Sequence, residues 1–148
     1  MQRIPEAQLR QQVMDLLVQH GAPEPAARLQ TDLLIEAELR GLSSHGVMRL
    51  PRLLMRIDRG LADPATCGLH HWRADAMLEV EGQRALGPVA LMAAMEALLP
   101  VVRRSGIAMA AIRDANHIGM LAYYAEKAAE RGLIGIVLST SEALVHPH

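Results

Sequence analysis

Apolar positions along the chain change period about halfway through. After Pro5, the residues Leu9, Val13, Leu16 and Leu17 fall at i, i+4, i+7 and i+8, one stripe of a helix that Gly21 stops. Pro25 opens a second stripe, Ala26, Leu29, Leu33, Leu34 and Ala37, which Arg40-Gly41 closes. Ser43 or Ser44 stands where a third helix would be capped; Leu50, Leu53, Leu54 and Ile57 form its buried face and Gly60 its end. Pro51 lies inside that span, and its missing N–H predicts a kink or two short helices in succession. Residues 1–60 therefore read as a helical unit.

Beyond it, Asp63-Pro64, Gly68 and His70-His71-Trp72 follow no period, so 61–76 reads as a loop or linker with room for one extended piece. Met77 to Val80 is a short strand candidate. Gly87-Pro88 opens a helix to about Arg103, apolar nearly all round, which predicts burial on most sides. Ile107 to Ile112 and Leu133 to Leu138 read as buried strands. Between them, Ile118, Leu121, Ala122, Ala125, Ala128 and Ala129 make an amphipathic helix. The expected fold class is α/β (α+β), with 77–148 as the first part of a second unit. A buried strand at 133–138 needs neighbours on both sides. Too few strands precede it, so the missing edge is expected from another chain or from a longer protein.

Composition narrows the function. The 148 residues are 51% hydrophobic and 21% charged, as in globular proteins. A net charge of −1 gives no electrostatic case for nucleic acid or an anionic membrane. Trp72, Tyr123 and Tyr124 are the only aromatics, too few for base stacking. No apolar run is long enough to span a bilayer, and the first residues lack a signal-peptide core. The single cysteine, Cys67, permits no internal disulfide and suits a reducing cytoplasm. Lys127, the one lysine, is not in a P-loop, and no G-x-G-x-x-G follows a strand, so the ordinary Rossmann fingerprint is missing. His70-His71 and His146-Pro147-His148 lack metal-ligand spacing, and no metal is expected.

Two stretches can carry chemistry. In Ser43-Ser44-His45-Gly46-Val47-Met48-Arg49, a helical turn would set His45 and Arg49 on one face. Histidine exchanges protons near neutrality, and arginine offers a planar fork to a carboxylate. Together they can hold a small 2-oxo or 2-hydroxy acid, Arg49 on its carboxylate and His45 beside the adjacent oxygen, with Ser44 relaying or orienting the proton. The plainer alternative makes Ser44 a cap and Arg49 one of a solvated row with Arg52, Arg56 and Arg59. The second stretch is Asp114-Ala115-Asn116-His117-Ile118-Gly119-Met120-Leu121, between a strand and a helix, where backbone N–H groups favour anions. It reads as a phosphate or cofactor contact, or as a helix start capped by Asp or Asn with a surface histidine.

These blocks resemble the type-2 malate/L-lactate dehydrogenase family, which includes sulfolactate and ureidoglycolate dehydrogenases and piperideine-carboxylate reductases. The matching stretches begin with Glu36-Ala37-Glu38-Leu39-Arg40-Gly41-Leu42-Ser43-Ser44-His45-Gly46 and Arg49-Leu50-Pro51-Arg52. They continue with Gly60-Leu61-Ala62-Asp63-Pro64, Leu86-Gly87-Pro88, Asn116-His117-Ile118-Gly119, Tyr123-Tyr124-Ala125-Glu126 and Gly132-Leu133-Ile134-Gly135-Ile136. The resemblance implies NAD(P)-dependent hydride transfer at the second carbon of a small acid. It implies that Ser44 is the relay, His45 the proton donor and Arg49 the carboxylate ligand. It further implies that His117, Ile118, Gly119, Met120 and Leu121 line the NAD or NADP cofactor. It also implies a non-Rossmann cofactor domain on a largely antiparallel sheet, a homodimer with shared active sites, and a chain longer than this one. The expectation is thus the N-terminal part of a 2-hydroxyacid dehydrogenase. The rival readings are a catalytically inactive fragment acting as a helical association module, and, more remotely, a histidine-based metal hydrolase.

Overall fold

The computed structural model describes residues 4–140. Five α-helices, two 3₁₀ turns and three strands follow one another in an α/β arrangement. Helices α1 (Glu6–Gln19) and α2 (Glu24–Leu39) start after prolines, whose fixed φ suits a helix entry, and pack on each other. Their facing stripes bury Val13, Leu17, Ala22, Ala27, Leu34 and Ile35 with Leu50. Leu17 and Leu33 are almost wholly shielded. Each such leucine contributes about 1.5–3 kcal/mol relative to exposure.

The third predicted helix contains its whole apolar stripe but is shorter than the span expected from the Ser43 or Ser44 cap to Gly60. The turns η1 (Ser43–His45) and η2 (Val47–Arg49) precede α3 (Leu50–Asp58), and Pro51 occupies the first turn of α3, where its missing N–H costs nothing. The prediction of short helices in succession is met. The break falls at Gly46, whose extended backbone (ψ −150°) interrupts the helical path, and Ser43 and Ser44 lie inside η1 without capping it.

The stretch 61–76, expected as loop or linker, holds its extended piece as β1 (Leu69–Ala74). This strand pairs antiparallel with β2 (Met77–Glu81), and β2 pairs parallel with β3 (Met109–Arg113), giving a mixed sheet in the order β1-β2-β3. One face of the sheet buries Leu78 and Val80 beneath Ala94 of α4 (Gly87–Ser105), with Ala110 and Ile112 at the margin. The other face carries cross-strand ion pairs of Arg73 with Glu79 and of Arg113 with Glu79 and Glu81. α4 is buried along one side, half-buried over much of the rest and exposed at Glu96, Pro100 and its last three residues, less enclosed than its apolar composition predicts. Among the described residues, no helix is long and apolar enough to cross a membrane.

Three expectations are corrected in the second half of the chain. The helix after the third strand, α5 (Leu121–Ala129), begins at Leu121 rather than Ile118, and neither Asp114 nor Asn116 caps it. Leu133 to Leu138 is not a buried strand: Ile134, Ile136 and Leu138 are 95%, 84% and 86% exposed, while Val137 packs on the cluster around Leu33 and Tyr124. The period-two alternation is present, but no described strand pairs with it, so only its inner side is covered. Ile107, read as a strand residue, is 73% exposed and lies before β3. His146 and His148 lie outside the described residues.

Candidate active site

Two loops meet beside α2. The first runs from the end of α2 through η1 and η2 and carries Ser44, His45 and Arg49. Because Gly46 breaks the helix, His45 and Arg49 do not share one helical face as the spacing predicts. They are brought together differently: Arg49 folds back, and its Nε donates to the carbonyl of Ser44 at 2.6 Å. Among the described residues the two terminal nitrogens of Arg49 have no hydrogen-bond partner, which leaves the end of its fork open to an anion. Ser44 Oγ lies 3.0 Å from His45 Nδ1. That bond fixes the ring and directs Nε2 outward, whichever partner holds the shared proton.

The second loop lies between β3 and α5. Its His117 ring stands 5.6 Å from the His45 ring, centroid to centroid, tilted by 44°. The Gly119 backbone N–H donates to His117 Nδ1 at 2.9 Å. Nδ1 must therefore be unprotonated, and neutral His117 presents its proton on Nε2. The surroundings favour the same state. Partial desolvation, then the neighbouring Arg49, His45 and Arg52, hold His117 below the ordinary imidazole range.

The rest of the second loop is held from below. Gly119 has φ +71°, and a Cβ there would overlap the side chain of Leu33 on α2, so both conformation and space require glycine. Met120 is buried with Leu33, Tyr123 and Tyr124, and Ile118 packs against the same cluster. The Tyr124 hydroxyl donates to the Ile118 carbonyl. Of the five residues from His117 to Leu121, His117 thus keeps its ring accessible, while Met120 turns its side chain into the core.

Asn116, which the sequence offered as a ligand contact or cap, is neither a free donor nor a cap. Its Nδ2 donates to the carbonyls of Arg84 at 2.6 Å and Ala85 at 3.1 Å, and its Oδ1 accepts from Arg56 Nε at 2.8 Å. It therefore ties α3, the segment before α4 and the His117 loop into one unit. Arg56 was read only as part of a solvated row. Its role has no sequence signal, because the partner lies 60 residues away. Glu38 also went unnoticed as a site residue: its carboxylate reaches under the first loop to Ser43 and Val47. Among the described residues no group of three or more His, Cys, Asp or Glu is placed to hold a metal ion.

Comparison with known proteins finds relatives along nearly the whole chain. A family model described as malate/L-lactate dehydrogenase matches residues 4–148. The chain is 38% identical over 147 residues to a malate dehydrogenase of Pyrococcus abyssi, covering 98% of this chain and 40% of that protein. It is 30% identical over 135 residues to an L-sulfolactate dehydrogenase of Methanocaldococcus jannaschii, covering 91% of this chain and 39% of the relative. Among solved structures, a dehydrogenase from Sinorhizobium meliloti superposes with a TM-score of 0.97 at 58% identity, over 99% of this chain and 46% of its own. Malate dehydrogenase from Pyrococcus horikoshii OT3 follows with a TM-score of 0.84 at 31% identity, over 88% of this chain and 38% of its own. The chain spans about 40% of the length of the curated relatives it matches. Sequence and architecture agree along nearly all of its length, and the chain belongs to the malate/L-lactate dehydrogenase family.

Proposed function

We propose that this site interconverts a small 2-oxo acid and its 2-hydroxy acid, of the malate, lactate or sulfolactate type, with NAD or NADP. The observation that carries the reading is the Ser44–His45 pair held 5.6 Å, ring to ring, from a neutral His117, with the open fork of Arg49 on the same loop. The relatives named for malate and L-sulfolactate support the substrate class.

In reduction, Arg49 binds the acid's carboxylate through its terminal nitrogens, a charge-assisted pairing. Protonated His45 donates from Nε2 to the carbonyl oxygen while its Nδ1–H donates to Ser44 Oγ, so the ring stays fixed as it loses the proton. In oxidation the same Nε2 takes the alcohol proton. When bound, the nicotinamide supplies or accepts the hydride at the second carbon. The residues present would fit such a group: neutral His117, whose ring stands 5.6 Å from that of His45, offers an Nε2–H donor for a carbonyl or carboxamide oxygen. His117, Ile118, Gly119, Met120 and Leu121 would line it, Met120 through its backbone because its side chain is buried.

We also infer that the working form is a homodimer in a reducing cytoplasm. The exposed row Ile134, Ile136 and Leu138 and the lone exposed thiol Cys67 support that reading. The helical unit 1–60 would bring the acid's ligands to a cofactor unit over 77–148, with 61–76 between them.

The test is oxidation of NADH and NADPH against malate-, lactate- and sulfolactate-type 2-oxo acids. It uses the chain as it stands and a longer polypeptide read through the codons that follow it. Turnover by either supports the proposal. Absence of turnover and of nicotinamide binding in both overturns it and favours a helical association module.

A further inference from the structure

We propose that Glu38 is a positioning residue of this site, setting the distance between the Ser44–His45 pair and Arg49. The inference rests on the reading of those three residues given above. Glu38 stands in the last turn of α2, and its two carboxylate oxygens divide between the two 3₁₀ turns. Oε1 accepts from Ser43 Oγ at 3.4 Å, and Oε2 accepts from the Val47 backbone N–H at 3.1 Å. Ser43 adjoins the Ser44–His45 pair, and Val47 opens the turn that ends in Arg49.

Between these two anchors lies Gly46, where the helical path breaks. Gly46 is buried, and a Cβ on it would overlap the Glu38 carboxylate. The absent side chain is therefore the space in which the carboxylate sits. Backbone bonds order each turn internally: His45 N–H donates to Leu42 and Gly46 N–H to Ser43, while Arg49 N–H donates to Gly46. Across the junction itself, the Arg49 side chain bonds to Ser44 O and Glu38 bonds to both sides. With the terminal nitrogens of Arg49 given to a substrate and its Nε to Ser44 O, Glu38 ties both turns directly to α2 and sets their register. Small misplacements of reacting groups are costly, since about 1 Å can lower a rate about 100-fold.

The test compares Glu38→Ala, Glu38→Gln and Gly46→Ala. Glutamine keeps an acceptor for Val47 N–H and a polar group for Ser43 while removing the charge. Two measurements are made: hydrogen exchange of the Val47 amide with the His45 ring resonances, on the chain itself, and kcat and KM on whichever form turns over. The expected result is faster Val47 exchange and shifted His45 resonances in Glu38→Ala and Gly46→Ala, with α2 amides still protected. Turnover should fall about 10- to 100-fold and KM for the acid should rise, with Glu38→Gln returning to within about threefold of the parent. A merely destabilised protein would instead lose kcat at unchanged KM, and that outcome overturns the assignment. Unchanged Val47 exchange in Glu38→Ala overturns it too, as does altered exchange with unaltered kinetics. If neither form of the parent turns over or binds nicotinamide, the functional reading falls and the assignment with it, while the exchange data still report whether Glu38 ties the turns.

Discussion

Arg56 on α3 donates through Nε to Oδ1 of Asn116 at 2.8 Å, and this bond ties α3 to the second loop of the site. Through Nδ2, Asn116 donates to the carbonyls of Arg84 and Ala85. Replacing it with alanine strips the half-shielded Arg56 Nε of its acceptor and removes both amide donations, while the Arg84 and Ala85 carbonyls keep the backbone N–H groups of Asp63 and residue 116. We expect Asn116→Ala to destabilise the chain by about 1–3 kcal/mol. In a double-mutant cycle with Arg56→Met the two effects should fall short of their sum, because either change breaks the same bond. Denaturant titration of the four proteins measures both. Full additivity would mean that the bond contributes nothing.

His45→Ala should lower turnover about 100- to 10,000-fold, the usual worth of one positioned proton donor. Ser44→Ala should cost less, since it loosens the ring without removing the acid. Near-parental rates in His45→Ala would remove this residue from the chemistry.

For Arg49, alanine should chiefly raise KM for the acid. Lysine should rescue it incompletely, because a single ammonium cannot reproduce a bidentate fork or the 2.6 Å bond from Nε to Ser44 O. Steady-state kinetics decide it: an unchanged KM in both variants takes Arg49 out of the substrate site.

The acid limb of stability should carry the mark of His117. Its folded-state titration lies below the ordinary range, chiefly through desolvation and then through the neighbouring Arg49, His45 and Arg52. An unfolded chain therefore takes up a proton at pH values where the folded one does not. Stability contributed by neutral His117 is fully present above about pH 6.5 and is lost as pH falls through the lower, folded value. His117→Asn, which cannot titrate, should flatten that decline. Urea titrations at successive pH values test it, and identical slopes for parent and variant would count against the placement of the ring.

Gly119→Ala should destabilise by about 1–3 kcal/mol through backbone strain, with a further penalty from overlap with Leu33. Leu33→Ala lowers stability by itself, but measured in that background Gly119→Ala should lose the overlap penalty and keep the φ cost. Thermal melts of the single and double variants would separate the two contributions.

Much of the architecture was legible from spacing. The stripes of α1 and α2 and the proline-led helix starts are local properties, set by side chains one turn apart. The site residues were legible in identity but not in geometry. His45 and Arg49 were expected on one helical face, yet Gly46 divides their helix, since the space it opens is filled by Glu38 from another element. Asn116 read as a ligand because its partners, Arg56 and the carbonyls of Arg84 and Ala85, are distant in sequence. The Leu133 to Leu138 segment has the alternation of a strand, but a strand also needs an edge to pair with, and alternation carries no information about that.

The two histidines that face each other across the site belong to segments far apart in the chain. A molecule that touches both can bind only when the segments between them have docked. Such a molecule should raise the melting temperature in proportion to the logarithm of its concentration, with an acid that spans Arg49 and His45 stabilising less than a pair of ligands reaching His117 as well. A thermal-shift screen of small acids and nicotinamides on this chain would thus read out occupancy without any catalysis taking place.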